Sequence, residues 1–164
     1  MPVIRLETTV NAPVNRVFYL SLSVELHVHS TRSTHERVIS GITSGLLTLN
    51  DSVTWEAKHL GVTQQLTSKI MACNPPFSFT DEMTKGIFHH LNHRHDFSFE
   101  NGCTVMTDYF DYASPLGPLG WLADQLYIRR YLENFLIIRN QTIKEFAETN
   151  RWMDLPGMRE VGRV

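Results

Sequence analysis

The sequence predicts one α+β domain in which a curved antiparallel sheet wraps a long C-terminal helix around an internal, mostly apolar cavity. Three observations predict it. From Glu36 to Ala113 the chain reads as strand after strand, punctuated by Gly61, Asn74-Pro75-Pro76, Gly86 and Asn101-Gly102. From Leu119 to Glu148 it has no proline, and no glycine beyond Gly120, while apolar residues recur at helical spacing. Between these comes the Ser114-Pro115-Leu116-Gly117-Pro118 break, and a short helical pattern follows the first strand. A curved meander closed by one helix cannot bury that helix and both sheet ends without leaving space between them.

The elements follow in order. Ile4, Leu6, Thr8 and Val10 alternate with Arg5, Glu7, Thr9 and Asn11, the period-2 mark of a half-buried strand. Pro13 suits a helix start, and Val14, Val17, Phe18 and Leu20 give that helix an apolar face. A second short helix or loop, rich in Ser and His, runs to about Thr34. Strands are expected at Glu36 to Gly41, Ser52 to Leu60, Thr63 to Cys73, Phe77 to Lys85, His89 to Glu100 and Cys103 to Ala113, for about six to seven in the sheet. In the long helix Trp121, Ile128, Leu132, Phe135, Leu136, Ile143 and Phe146 form one stripe, and at 1.5 Å per residue it would run roughly 45 Å. Residues 1–150 are expected to form the domain. The tail 151–164, with Pro156, Gly157 and Gly162, is expected to be mobile or laid on a neighbour.

Composition narrows the function classes. The 164 residues carry a net charge of -2, with 42% apolar and 20% charged residues, so nothing marks a nucleic-acid surface. No apolar run approaches the roughly 20 residues that span a bilayer. Cys73 and Cys103 are far apart and in no metal or redox spacing. Without a secretory leader pattern they read as reduced thiols of a cytoplasmic protein.

The Asn101-Gly102 turn fixes which side chains face inward. A two-residue turn pairs Glu100 with Cys103, and so His95 with Asp108, His93 with Phe110 and Leu91 with Tyr112. That face also carries Phe97, Phe99 and Met106, so it is the inner one. Extending the register, Asp81 faces His93 and Phe79 faces His95, with Phe77 and Met83 on the same side. On the Ser52 strand the inner set is Val53, Trp55, Ala57 and His59. Three histidines (His59, His93, His95) and two carboxylates (Asp81, Asp108) therefore point into an aromatic interior. Arg139 lies within the apolar stripe of the long helix and can reach the same cluster. Burying these groups unpaired costs several kcal/mol each, so they pair with each other, with water or with a ligand. His27, His29, His35, His89 and His90 are expected to be solvated, Glu25, His27 and His29 near the cavity rim at most.

The stretches Val53-Thr54-Trp55-Glu56-Ala57-Lys58-His59-Leu60-Gly61, Pro76-Phe77-Ser78-Phe79-Thr80-Asp81-Glu82-Met83, His93-Arg94-His95-Asp96-Phe97, Asp108-Tyr109-Phe110-Asp111-Tyr112 and Pro115-Leu116-Gly117 resemble the START-like superfamily, also called SRPBCC or helix-grip. The resemblance spans residues 3 to 149 and is nearest to bacterial ligand-binding and polyketide cyclase/dehydrase-like members. It implies a pocket for an apolar or amphipathic small molecule and implies no particular reaction.

Two functions are weighed. The first is a carrier or sensor, with walls from Trp55, Phe79, Phe97 and Phe110, and with His59, Asp81, His93, His95, Asp108 and Arg139 orienting a polar group. The second is an enzyme of the cyclase, dehydratase or hydrolase kind, using His95, held by Asp108, as general base on an enolisable carbonyl compound, with Arg139 or His59 polarising the oxygen. Against it, a His–Asp pair in a core serves structure more often than chemistry, and no nucleophile motif accompanies it. His93 and His95 with Asp108 opposite form a two-His-one-carboxylate set, but no closely spaced fourth ligand stands nearby, so neither metal nor cofactor is expected. Leu136-Ile137-Ile138 and the tail residues Trp152, Met153, Leu155 and Met158 offer apolar surface that a homodimer would cover.

Overall fold

The computed structural model describes residues 3–59, 61–114 and 127–162. The chain runs β1 (Val3–Val10), α1 (Val14–Ser21), α2 (Val24–Ser30), a 3-10 turn (Arg32–Thr34), β2 (Arg37–Gly41), β3 (Ser52–His59), β4 (Val62–Asn74), β5 (Ser78–Lys85), β6 (His90–Glu100), β7 (Cys103–Ala113) and α3 (Arg129–Glu148). A 3-10 segment (Asn150–Asp154) and a short α4 (Met158–Val161) follow. Among the described residues the seven strands form one antiparallel sheet in the order β1-β7-β6-β5-β4-β3-β2. The long helix is described from Tyr127 onward. The expected start at Leu119, the stripe residue Trp121, and the Pro115-Leu116-Gly117 stretch lie outside the described residues.

Local chemistry explains the elements. Asn101 and Gly102 both adopt positive φ, 52° and 84°, as a two-residue hairpin turn requires. The β6–β7 register therefore starts at Glu100↔Cys103 and continues through His95↔Asp108 to His90↔Ala113, as the turn predicted. The β5–β6 register, Asp81↔His93 and Phe79↔His95, also agrees. Register shifts at Val38/Ser40, Thr67/Ser68 and Ile70/Ala72 interrupt the β2–β3 and β4–β5 ladders, and such bulges bend the strands into a grip. Ser23 caps α2 by accepting from the Leu26 amide.

Helix α1 plugs one end of the grip. Phe18 meets Phe79 and Phe97 edge to face at 5.7 and 5.4 Å, and Met106, Ile143 and Phe146 complete that apolar end. Two inward assignments fail at the sheet margins. Phe99 is 57% exposed, because β6 runs past α1 before it turns. Phe77 is equally exposed, because it precedes β5 rather than lying within it.

The C-terminal residues depart from expectation. Trp152 and Met158 are buried in the same core as α1 and α3. Arg16 on α1 stacks on Trp152 at 4.5 Å and donates to the carbonyls of Ala147 and Gly162. These residues are therefore folded onto their own chain, and Trp152 and Met158 offer no surface to a second copy.

Candidate functional site

Between α3 and the concave face of the sheet lies a cavity of about 170 Å³. Its apolar wall comes from alternating inward positions of the strands, Trp55 and Ala57 on β3, Phe79 on β5, Phe110 on β7, and from Leu132 and Phe135 on α3. Two polar clusters interrupt that wall.

The first sits where β5, β6 and β7 meet α3. Asp108 is fully buried and gathers partners on both oxygens. Its Oδ1 lies 2.9 Å from both His93 Nε2 and His95 Nδ1, the latter off the direction of a straight hydrogen bond. Its Oδ2 accepts from Asn140 Nδ2 at 2.6 Å, and Arg139 Nη1 stands 3.9 Å from Oδ1. His95 Nε2 is 3.3 Å from Asp81 Oδ1. The His95 ring lies between Phe79 and His93, with ring centroids 4.1 and 3.8 Å away. Arg139 donates through Nη2 to the Ser21 carbonyl, while its Nη1 has no hydrogen-bond partner among the described residues.

Burial sets the electrostatics. It pushes the His93 imidazolium down to about 4, helped by the neighbouring His95 and opposed by Asp108. Burial acts to raise Asp108, yet hydrogen bonds from His93 and His95 hold it well below the usual carboxylate range. Asp81 behaves likewise: burial raises it, and the His95 hydrogen bond with the His93, His95 and Arg139 charges brings it below normal. Both carboxylates are thus ionised and His93 is neutral near neutral pH.

The second cluster was found only in part, since the sequence reading turned His59 inward but left His27 at the rim at most and did not single out Glu36. His27 and Glu36 line the same cavity, joined at 3.1 Å, and the His27 ring packs on Trp55 with centroids 4.2 Å apart. Burial raises Glu36, but the His27 charge and hydrogen bond, with His59, leave it below normal. His59 Nδ1 meets the Tyr131 hydroxyl at 2.8 Å, and its burial lowers the imidazolium. His27 was expected in solvent because the α2 segment shows no clear apolar period. It turns inward because Ser23 caps that helix and Leu26 anchors its other face in the core. His29 also departs from expectation, packing its ring edge on Phe146 at 5.1 Å. Glu25 is held outside the cavity by Ser44 and the Gly45 amide.

No family model matches the chain, and no curated protein matches it. Solved structures do. TTHA0849 from Thermus thermophilus covers 89% of this chain and 99% of its own, with a TM-score of 0.70 at 16% identity. A START superfamily protein from Mycobacterium smegmatis covers 88% and 98%, with a TM-score of 0.66 at 10% identity. Ginseng major latex-like protein 151 from Panax ginseng covers 90% and 98%, with a TM-score of 0.61 at 14% identity. The chain has the START-like, helix-grip fold. At such low identity the likeness concerns the fold and transfers no ligand or reaction.

Within this helix-grip fold the expected site residues divide. Trp55, His59, Phe79, Asp81, His93, Phe110 and Arg139 line the cavity. His95 and Asp108 stand behind that lining as a buried support, and Phe97 belongs to the core end plugged by Phe18. Asn140 was not singled out from the sequence, although it directly follows Arg139 and shares the buried face of α3. No helix among the described residues is long and apolar enough to cross a membrane.

Proposed function

We propose that the protein binds a small apolar or amphipathic molecule inside the grip, as a carrier or sensor. One observation carries this reading: a mostly apolar cavity whose wall includes Arg139, buried and with no hydrogen-bond partner for Nη1 among the described residues. A buried guanidinium N–H without a partner is costly, and a ligand acceptor at that point satisfies it. The cavity volume, about 170 Å³, accommodates at least one benzene-sized ring. The ring would lie against Trp55, Phe79 and Phe110, with its polar atom towards Asp81, His93 and Arg139. These polar groups would reject a ligand that leaves them unpaired. Cys73 and Cys103 are free thiols, which fits a reducing compartment such as the cytoplasm.

Catalysis by His95 and Asp108 has less support. His95 is fully buried between two rings and does not line the cavity, so no substrate proton comes within its reach.

The test is native mass spectrometry of the untagged chain followed by denaturing extraction. One small organic molecule per chain is expected, absent when Ala57→Phe fills the cavity. An empty chain that also gives no thermal shift with a panel of aryl acids, aldehydes and phenols would sink the reading.

A further inference from the structure

The two nitrogens of His95 pose an electrostatic problem. Nδ1 lies 2.9 Å from Asp108 Oδ1 and Nε2 lies 3.3 Å from Asp81 Oδ1, so both face carboxylate oxygens. A neutral imidazole has one N–H and satisfies one of them. At the other, a ring lone pair stands beside a buried carboxylate oxygen, a pairing that a bridging cation would satisfy. The 2.9 Å contact to Asp108 is too short to admit an ion between the two atoms, and it lies off the line of a hydrogen bond. The 3.3 Å contact to Asp81 is a long hydrogen bond, and it is also the spacing of two donors on one ion: with bonds of about 2.0–2.2 Å, donors on a tetrahedral ion sit about 3.3–3.5 Å apart. A third donor is already present. One ring nitrogen of His93, one of His95 and one Asp81 oxygen all lie within 4.8 Å of one another.

We propose that Asp81, His93 and His95 form a site for a divalent cation of the zinc type, with Asp108 as the outer carboxylate that orients both imidazoles. Two imidazoles and a carboxylate suit Zn2+ or Co2+ better than Mg2+ or Ca2+. Asp108 contacts both rings, the arrangement that commonly fixes the tautomer of metal-binding histidines. The local charge is compatible. Asp81 and Asp108 outweigh Arg139, which donates to the Ser21 carbonyl and stands 3.9 Å from Asp108. Asp81 and His93 line the cavity, so the position that three protein ligands leave open faces it. Sequence reading had set a metal aside, taking Asp108 as the carboxylate ligand. The diagonal His95–Asp81 contact changes which carboxylate coordinates. This proposal does not rest on the small-molecule reading.

The test uses the untagged full chain, stripped with chelator and dialysed against Zn2+ and, separately, Co2+. One Zn2+ per chain is expected by atomic emission, together with the visible absorption of four-coordinate Co2+. Asp81→Asn is expected to weaken Zn2+ at least about 100-fold, the upper range for losing even an outer-shell partner. His35→Gln with His89→Gln, both on the exposed surface, is expected to change nothing. In the unmodified chain Zn2+ should shift the imidazole 15N resonances of His93 and His95, which locates the ion even if a variant does not fold. Absence of stoichiometric Zn2+ on the unmodified chain, or Zn2+ that follows the exposed histidines, overturns the site. Zn2+ binding by a chain that carries no organic ligand would count against the cavity reading alone, and the reverse against this one alone.

Discussion

Asp108 has no exposed surface, yet the side chains of His93, His95, Asn140 and Arg139 converge on its two oxygens. Such a group is energetically asymmetric. While every partner is present the cluster is satisfied, but removing its centre strands a buried guanidinium and an amide donor. Asp108→Leu should therefore destabilise the chain by about 3–5 kcal/mol, the usual cost of breaking a buried charged pair from one side. Urea unfolding monitored by tryptophan fluorescence measures it. A loss under about 1 kcal/mol would mean that Arg139 readily finds other acceptors, consistent with the modest energies of pairs that water can reach. Asp81 differs, because its side chain is 23% exposed and opens on the cavity.

At the scale of elements, the β6–β7 hairpin shows what was legible and why. The Asn101-Gly102 turn fixed the register, and the register fixed which side chains face α3, so His93, His95 and Asp108 were found by counting. The β5 register followed from the same alternation. Phe99 and Phe77 were assigned inward and are exposed, because alternation gives a face but not how far the covering helices reach. His27 and Glu36 were missed because α2 and β2 are short, and seven or five residues are too few to show a period. Asn140 was missed because a single polar residue beside a stripe carries no signal until its partner is known. The hairpin itself yields a prediction. A Cβ at Gly102 would meet nothing within 4 Å, so any penalty is backbone strain alone. With φ at 84°, Gly102→Ala should cost about 1–2 kcal/mol, the usual penalty of a left-handed conformation for a side-chain-bearing residue. Equilibrium denaturation of the variant reads this directly. An unchanged midpoint would mean that the turn relaxes to another type without disturbing the ladder.

For the whole molecule, the question is what closes the grip. The sheet ends at the edge strands β1 and β2. α1 packs against α3, and the segment after Thr149 then turns back over both. Thr149 is extended, its hydroxyl accepts from the Arg151 amide, and this reversal delivers Trp152 to the core at 4% exposure. Arg16 joins three parts of the chain by stacking on Trp152 and donating to Ala147 and Gly162. The C-terminal residues thus act as a clasp across α1 and α3. Trp152→Ala should cost about 3–5 kcal/mol, as for other large aromatic residues truncated in a packed core. Ending the chain at Asn150 should do at least as much harm, since it also removes Met158. The clasp packs at the apolar end plugged by Phe18, not on the cavity wall, so a ligand or metal ion bound in the cavity should restore part of the lost stability by mass action without restoring the clasp. Thermal unfolding of the truncated chain, with and without Zn2+ or extracted ligand, separates these contributions. If truncation leaves the midpoint unchanged, α1 and α3 hold together without the clasp, and the burial of Trp152 is a consequence of the fold rather than one of its causes.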